Sequence, residues 1–172
     1  MSLSTEYNLK NFELLDGLNA EQRAYFRDHL KELDFAAGKE IFHEGAKGGA
    51  IFFLLSGMVE ISQSLTLSVS KQNTDYDTRE KSIIRLSGED YAVFGEVSLF
   101  GHEDRRTATV TALTDCHMGR LSGKQFFKIL EDHLEVGYKV MGNLTRIVCG
   151  RLVAANRNVL KLTTALSLVL EK

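Results

Sequence analysis

The length, composition and charge of the chain exclude several classes of protein. Its 172 residues suffice for one compact domain with an appendage. The 21 basic and 23 acidic residues give a formal net charge of −2, which argues against a protein that coats nucleic acid or binds membranes through a polybasic segment. No run of about 18 apolar residues is present, and the first residues lack the basic-then-apolar pattern of a signal peptide. The sequence therefore predicts a cytoplasmic protein without a membrane span.

Helical spacing marks the N-terminal part of the chain. Residues 1–8 are interpreted as a tail, with an origin in an expression vector as one alternative. From Leu9 to about Leu30 the apolar residues recur at intervals of three and four, as in an amphipathic helix. Asn19 can cap a second helix, because Gln22 stands three residues later at the capping-box position. We therefore expect helices before the main body of the domain.

Short apolar runs separated by regularly placed glycines follow these helices. Each run has the length and the composition of a β-strand, and no crossover helix stands between them. Many short strands in sequence are typical of an antiparallel sandwich, a jelly roll or a small barrel. The predicted strands cover residues 41–42, 51–55, 58–61, 82–86, 107–113 and 117–121.

A polar stretch interrupts the predicted strands between Ser62 and Lys81. Leu65, Leu67 and Val69 alternate with polar residues at its start. This pattern predicts a long, exposed β-hairpin tip, which either solvent or a partner protein covers.

The spacing of apolar residues becomes helical again after residue 121. Ser122 is placed to cap a short helix over residues 123–131, and a longer helix begins near His133. In heptads with Tyr138 at position a, nine of the ten a and d residues are apolar or aromatic, which indicates a coiled-coil seam. The a residues are Tyr138, Thr145, Leu152, Val159 and Leu166, and the d residues are Met141, Val148, Ala155, Leu162 and Val169.

A second apolar stripe, formed by Val140, Leu144 and Ile147, occupies another face of the first half of this helix. A helix with two apolar faces needs two partners. We expect the second stripe to lie on the β-domain and the a/d seam to pair with another copy of the chain, giving a homodimer. The alternative is a helix that folds wholly onto its own domain.

The segment 94–110 carries the strongest chemical signal. Gly95 permits a turn in which main-chain N–H groups face a ligand, and residues 97–100 can form a helical turn whose free N–H groups attract an anion. Arg106 can bind two phosphate oxygens at once, which a lysine cannot. Glu96 would repel a phosphate unless it accepts from neutral hydroxyls, so the set fits a sugar phosphate. A glycine turn with surface charges fits the same residues.

Two blocks in this segment resemble the phosphate-binding cassette of cyclic nucleotide-binding domains of the bacterial catabolite activator type, which also occur in kinase regulatory subunits and nucleotide-gated channels. The blocks are Phe94-Gly-Glu-Val-Ser-Leu-Phe and Arg106-Thr-Ala-Thr-Val. The resemblance extends from about Asn11 to Val159 and includes Gly38-Lys-Glu-Ile-Phe-His-Glu-Gly45, Ile51-Phe-Phe-Leu-Leu-Ser-Gly57 and the long helix. It implies an α+β fold that is mainly β: an eight-stranded antiparallel β-roll, or jelly roll, with N-terminal helices and a long C-terminal dimerisation helix.

The resemblance also implies roles for individual residues. Gly95 offers its amide, Glu96 accepts from the ribose 2′-hydroxyl, and Arg106 pairs with the exocyclic oxygens of the cyclic phosphate. Ser98 lies in the helical turn under that phosphate, and Thr107 can reach the phosphate or the base edge. The implied ligand-binding residues are Phe94, Gly95, Glu96, Val97, Ser98, Arg106, Thr107, Ala108 and Asn156.

The chain departs from the family pattern in two places. The lead-in over residues 88–95 is longer than usual, which predicts a β-bulge ahead of the cassette. Two hydroxyl residues that touch the purine in dimeric relatives are replaced by Ala155 and Asn156, of which only Asn156 can hydrogen-bond a base. Arg105 is an alternative to Arg106, although Arg106 alone keeps the family's spacing to the following Ala-Thr-Val.

The resemblance implies a regulatory protein and not an enzyme. It would bind cAMP or cGMP without a metal or cofactor, and transmit binding through the long helix to an unknown downstream protein. Thr107 permits guanine without requiring it, and the dimeric relatives favour cAMP. The expected organisation is a tail over 1–8, the nucleotide-binding domain over 9–132 and the dimerisation helix over 133–172.

The sequence also fits two other functions and excludes several more. A sensor domain cut from a larger transcription regulator, or a degenerate dimer scaffold, remains an alternative. No helix-turn-helix follows the seam, so we expect no direct DNA binding by this chain and no contact with membranes. A phosphodiesterase or a kinase would need metal-ligand spacing among the five histidines or a Walker loop, and the sequence has neither.

Overall fold

The computed structural model describes residues 9–64, 80–101 and 104–170. The predicted tail over 1–8 and most of the predicted hairpin tip lie outside the described residues.

Eight antiparallel strands form two sheets of four, which confirms the predicted mainly β roll. One sheet has the order β1-β8-β3-β6 and the other β2-β7-β4-β5. The strands are β1 (Lys31–Phe35), β2 (Glu40–Phe42), β3 (Ala50–Ser56), β4 (Met58–Ser64), β5 (Glu80–Ser87), β6 (Val93–Phe94), β7 (Thr109–Ala112) and β8 (Cys116–Ser122). The helices are α1 (Ala20–Arg27), α2 (Val97–Phe100), α3 (Gly123–Asp132) and α4 (Leu134–Leu170).

Strand β3 divides the interior into two cores because its side chains alternate between the faces of the sheet. Ile51 and Phe53 pack into the core beneath the helices. Phe52 and Leu54 point into the core between the two sheets, where the ring of Phe52 stacks on that of Phe94 at 5.2 Å between centroids. The cassette is therefore fixed to the sheet through an aromatic contact.

The predicted capping box of α1 is confirmed, but the N-terminal helix before it is wrong. Asn19 accepts from the backbone N–H of Gln22, and the Gln22 side chain accepts from the backbone of Asn19. Upstream, two 3-10 turns over Leu9–Asn11 and Glu13–Leu15 replace a regular helix. Buried Asn143 of α4 donates to the carbonyls of Leu14 and Asp16, which ties these turns to the long helix.

Two strands, β1 and β6, escaped the prediction, and the lead-in to the cassette differs from the expected β-bulge. Strand β1 pairs with β8 at a sheet edge, and its charged, half-exposed residues conceal it in the sequence. The lead-in to the cassette holds a 3-10 turn over Gly88–Asp90 instead of the expected bulge. Ser87 caps this turn, and Tyr91 ends it in a left-handed conformation at φ 49°. Strand β6 begins two residues later, at Val93.

Helix α4 uses its second stripe as predicted. Val140 and Leu144 are buried, and Ile147 packs against the same core, so this stripe attaches the helix to the domain. After residue 151 every described residue of the helix is exposed, including Leu162 and Val169 of the a/d seam, each at 71%. In the part of the chain that is described, no helix is both long and apolar enough to cross a membrane.

Candidate functional site

A cavity of about 530 Å³ lies between residues 94–98 and 106–108, strands β4 and β5, and helix α4. Its polar lining side chains belong to two groups. Glu96, Ser98, Arg106, Thr107 and Arg151 gather at the cassette end, and Asn158 stands alone further along α4. The remaining wall is mostly apolar and includes Phe42, Ile61, Ile83, Ile84, Phe94, Val110, Val148 and Leu152.

The guanidinium of Arg106 is held by one of its three nitrogens. Nη1 donates to the carbonyl oxygens of Ala50 and Gly95, both at 3.0 Å, and to Oγ of Ser98 at 2.9 Å. The Nε–H is buried and has no hydrogen-bond partner in the part of the chain that the structure describes. Nε and Nη2 lie on the edge opposite Nη1, so the arginine keeps a two-donor edge for an anion.

The surroundings of Arg106 leave its charge poorly solvated. The residue is 6% exposed, and its guanidinium lies 4.1 Å from the ring centroid of Phe42. Burial lowers the pKa of Arg106 to about 10, the charge of Arg120 acts in the same direction, and Glu96 opposes both. The group is still protonated at neutral pH. A cation that has lost water without gaining a carboxylate partner favours a bound anion.

Gly95 makes this arrangement possible. Its φ of +85° lies in the left-handed region that L side chains rarely adopt. A Cβ here would lie 2.7 Å from Nη1 of Arg106 and 2.9 Å from the carbonyl oxygen of Ala50. Any side chain would therefore displace the arginine.

Glu96 is buried, at 3% exposure, and it is half satisfied. Its Oε1 accepts from Nη1 of Arg151 at 2.6 Å, while Oε2 is buried and meets no hydrogen-bond donor from residues 9–64, 80–101 or 104–170. Arg151 also donates through Nη2 to the carbonyl oxygen of Val93. The free oxygen can accept one more hydrogen bond, and a neutral hydroxyl is a suitable donor because it adds no second negative charge.

Sequence reasoning missed Arg151. The residue occupies heptad position g, beside the apolar seam, where a charge is usually interpreted as an interhelical or solvated group. In the structure it lines the cavity beside Leu152 and reaches Glu96 of the cassette. One feature of the sequence could have revealed it. Arg151 stands seven residues after Leu144, so it continues the second, domain-facing stripe of the helix with a charged residue.

The structure brings eight of the nine predicted residues to one cavity and leaves one outside. Asn156 is exposed and does not line the cavity, whereas Asn158 does. Each residue of a helix turns by about 100°, so Asn158 shares a face with Arg151, seven residues earlier, and Asn156 does not. Arg105 is exposed and donates to the carbonyl oxygen of Gly45. The predicted residues that line the cavity are Phe94, Gly95, Glu96, Val97, Ser98, Arg106, Thr107 and Ala108.

A family model described as the cyclic nucleotide-binding domain matches residues 32–133, which is more than half of the chain. The chain belongs to the cyclic nucleotide-binding domain family. This confirms the predicted family, whose domain is a regulatory sensor and is not itself catalytic.

Individual relatives include kinases and transcription regulators. The cGMP-dependent protein kinase, isozyme 1, of Drosophila melanogaster is 33% identical over 141 residues, which cover 80% of this chain and 17% of the kinase. The cAMP-activated global transcriptional regulator CRP of Pasteurella multocida is 24% identical over 71% of this chain and 53% of its own length. The chain thus spans about half of that regulator and a small part of the kinase.

Solved structures agree on the fold. The catabolite activator protein of Thermus thermophilus superposes with a TM-score of 0.69 at 24% identity, covering 88% of this chain and 63% of that chain. At this identity the likeness shows the fold alone, and it is the predicted β-roll with a long C-terminal helix.

Proposed function

We propose that the chain is a cyclic-nucleotide sensor whose cavity binds cAMP or cGMP and whose helix α4 transmits binding to a partner. One observation carries the proposal: the Nε–H of Arg106 and Oε2 of Glu96 are both buried at the same cavity, and neither has a hydrogen-bond partner among the described residues. A nucleoside cyclic monophosphate supplies an anion for the first and a ribose hydroxyl for the second. No metal or further cofactor is needed for this binding.

The phosphate lies against the cassette in this proposal. Nε and Nη2 of Arg106 donate to the phosphate oxygens, and the amide of Gly95 adds a third donor. Glu96 accepts from the ribose 2′-hydroxyl through Oε2 while Oε1 stays with Arg151. Phe94, Val97 and Ala108 form the cavity walls around the cyclic phosphate ring. Thr107 completes this end of the cavity, where its hydroxyl can reach the phosphate or the base.

The purine occupies the apolar part of the cavity. Ile61, Ile84 and Leu152 offer flat apolar contact to either base. The relatives do not decide between the bases, because the names of those matched include both a cGMP-dependent kinase and a cAMP-activated regulator. We favour cAMP because of the likeness to dimeric regulators, with Thr107 and Asn158 as the side chains that can contact the base.

Transmission uses α4 in this proposal. Arg151 connects the helix to Glu96, so a ribose that engages Glu96 acts on the position of the helix. At 1.5 Å per residue the 37 residues of α4 extend about 55 Å. The exposed a/d seam pairs with a second copy of the chain, and Val148 and Leu152 belong both to the seam and to the cavity wall. Dimerisation and ligand binding are therefore coupled, and the dimer presents this state to a downstream protein in the cytoplasm.

Calorimetric titration tests the proposal. The wild-type protein is titrated with cAMP, cGMP, 5′-AMP and 2′-deoxy-cAMP. We expect the cyclic nucleotides to bind at least about tenfold more tightly than 2′-deoxy-cAMP, because removal of the hydroxyl leaves a buried carboxylate oxygen unpaired. The open monophosphate should bind more weakly than cAMP, since its second negative charge lies close to Glu96. Binding of none of these ligands would support the degenerate scaffold instead.

A further inference from the structure

The hydroxyl of Ser98 has no hydrogen-bonding capacity left for a ligand. Its Oγ donates to the carbonyl oxygen of Gly95 at 3.0 Å. It accepts from Nη1 of Arg106 at 2.9 Å and from the backbone N–H of Gly49 at 3.4 Å. A hydroxyl offers one donor and two acceptor sites, so all three are in use. The side chain is also buried, with the residue 3% exposed.

The same contacts decide which edge of Arg106 can meet a ligand. Nη1 carries two hydrogens and faces three acceptors within 3.0 Å, so it has none to spare. Two of those acceptors are backbone carbonyls fixed by strand β3 and by the turn at Gly95. Ser98 is the one side chain among these three acceptors of Nη1.

The position of Ser98 is itself fixed by packing. A Cβ on Gly48 would lie 2.4 Å from Cβ and 2.5 Å from Oγ of Ser98, so the serine packs directly against a glycine backbone. The hydroxyl therefore stays in one place relative to the guanidinium. An ordered acceptor on Nη1 restricts rotation of the guanidinium plane and keeps the Nε–Nη2 edge toward the cavity.

We propose that Ser98 is a positioning residue: it binds no phosphate itself but orients Arg106, so that the arginine distinguishes the two exocyclic oxygens of a cyclic phosphate. This inference rests on the proposed function. The sequence resemblance places the Ser98 side chain among the ligand-binding residues. Here it contacts Arg106, and Arg106 contacts the ligand. An arginine fixed in this way donates two parallel hydrogen bonds in one plane, one from Nε–H and one from Nη2–H, so each exocyclic oxygen meets a different donor.

The two diastereomers of adenosine 3′,5′-cyclic phosphorothioate test this role, because sulfur replaces one exocyclic oxygen in each of them. Their dissociation constants are measured for the wild type and for Ser98→Ala. We expect the wild type to prefer one diastereomer and Ser98→Ala to reduce that preference about three- to tenfold. Thr109→Val is the matched control, since Thr109 is 5% exposed and its hydroxyl accepts from the backbone N–H of Glu44 instead of contacting the arginine. It should keep the wild-type preference.

A second measurement separates positioning from direct binding. In an Arg106→Lys background the hydroxyl has no guanidinium to orient, so Ser98→Ala should cost little further affinity for cAMP. An equal loss in both backgrounds would show that Ser98 binds the ligand directly and would overturn the proposal. So would an unchanged diastereomer preference in Ser98→Ala, or an equal change in Thr109→Val. A wild type that binds no cyclic nucleotide overturns the proposed function and this inference with it.

Discussion

Arg151 of helix α4 donates to Glu96 of the cassette at 2.6 Å, and the two residues are 55 positions apart in the chain. This ion pair links the ligand cavity to the helix that carries the exposed a/d seam. Glu96 is part of the β-roll and Arg151 is part of helix α4. A displacement of either side chain therefore changes the position of the other.

Removal of Arg151 should destabilise the fold through Glu96. In Arg151→Met the buried carboxylate loses the guanidinium that its Oε1 contacts, which should cost about 1–3 kcal/mol in the free energy of unfolding. The value is below that of a fully buried pair because the Arg151 side chain is 28% exposed. Urea unfolding measures it, and Arg157→Met, an exposed arginine on the same helix, is the control. Glu96→Gln in the Arg151→Met chain should recover part of the loss, and equal stability of the two single arginine variants would contradict this account.

Asn158 should control the choice of base and Asn156 should not. In Asn158→Asp the carboxylate can only accept, which matches the adjacent N1–H and N2–H donors of guanine and opposes the N1 acceptor of adenine. We expect the affinity ratio to shift toward cGMP about 5- to 150-fold. Asn156→Asp adds the same charge two residues earlier, outside the cavity lining, and should leave the ratio unchanged. Competition binding measures both, and the same ratio in the two variants would remove Asn158 from the base site.

The a/d seam should hold a homodimer. Leu162→Asp with Val169→Asp places like charges at d positions far from the cavity, and should give monomers in sedimentation equilibrium. Leu160→Asp with Leu168→Asp is the control pair, because both leucines are exposed but lie off the seam. The control should stay dimeric at tens of micromolar. Dissociation by both pairs, or a monomeric wild type, would exclude this seam.

Ligand affinity should depend on pH through Arg106. The pKa of Arg106 in the folded chain, about 10, lies below the ordinary value of an arginine. The folded state therefore releases this proton first, and between these two values rising pH favours the folded chain over the unfolded one. Binding of an anion needs the protonated form, so affinity for cAMP should be flat from pH 7 to 9. Above about pH 10 it should fall by up to tenfold per unit. Constant affinity up to pH 10.5, with circular dichroism unchanged, would contradict the role of Arg106.

The cassette could be predicted from the sequence because its residues are close together in the chain. Gly95 and Glu96 are adjacent, and Arg106 follows within the same short stretch of chain, just before β7. The fold class followed in the same way from glycine-separated strands. Capping residues such as Asn19 and Ser122 also act within three positions.

The parts that escaped prediction depend on tertiary placement. Arg151 reaches Glu96 only because the stripe of Val140 and Leu144 sets the rotation of α4 on the domain. That rotation also decides between Asn156 and Asn158, since a change of about 100° per residue separates the cavity face from solvent. Strand β1 is recognised only through its pairing with β8, because its own residues alternate weakly.

Removal of the Arg106 guanidinium tests the central claim most directly. Calorimetry with cAMP compares wild type, Arg106→Ala and Arg105→Ala, a matched control because the neighbouring guanidinium is exposed and donates to the backbone at Gly45. We predict that Arg106→Ala weakens binding about 30- to 1,000-fold, since the phosphate loses two charge-assisted hydrogen bonds and Arg151, the other arginine lining the cavity, is paired with Glu96. Arg105→Ala should bind within about threefold of wild type. Wild-type affinity in Arg106→Ala, with circular dichroism showing an intact fold, would contradict the proposed binding site.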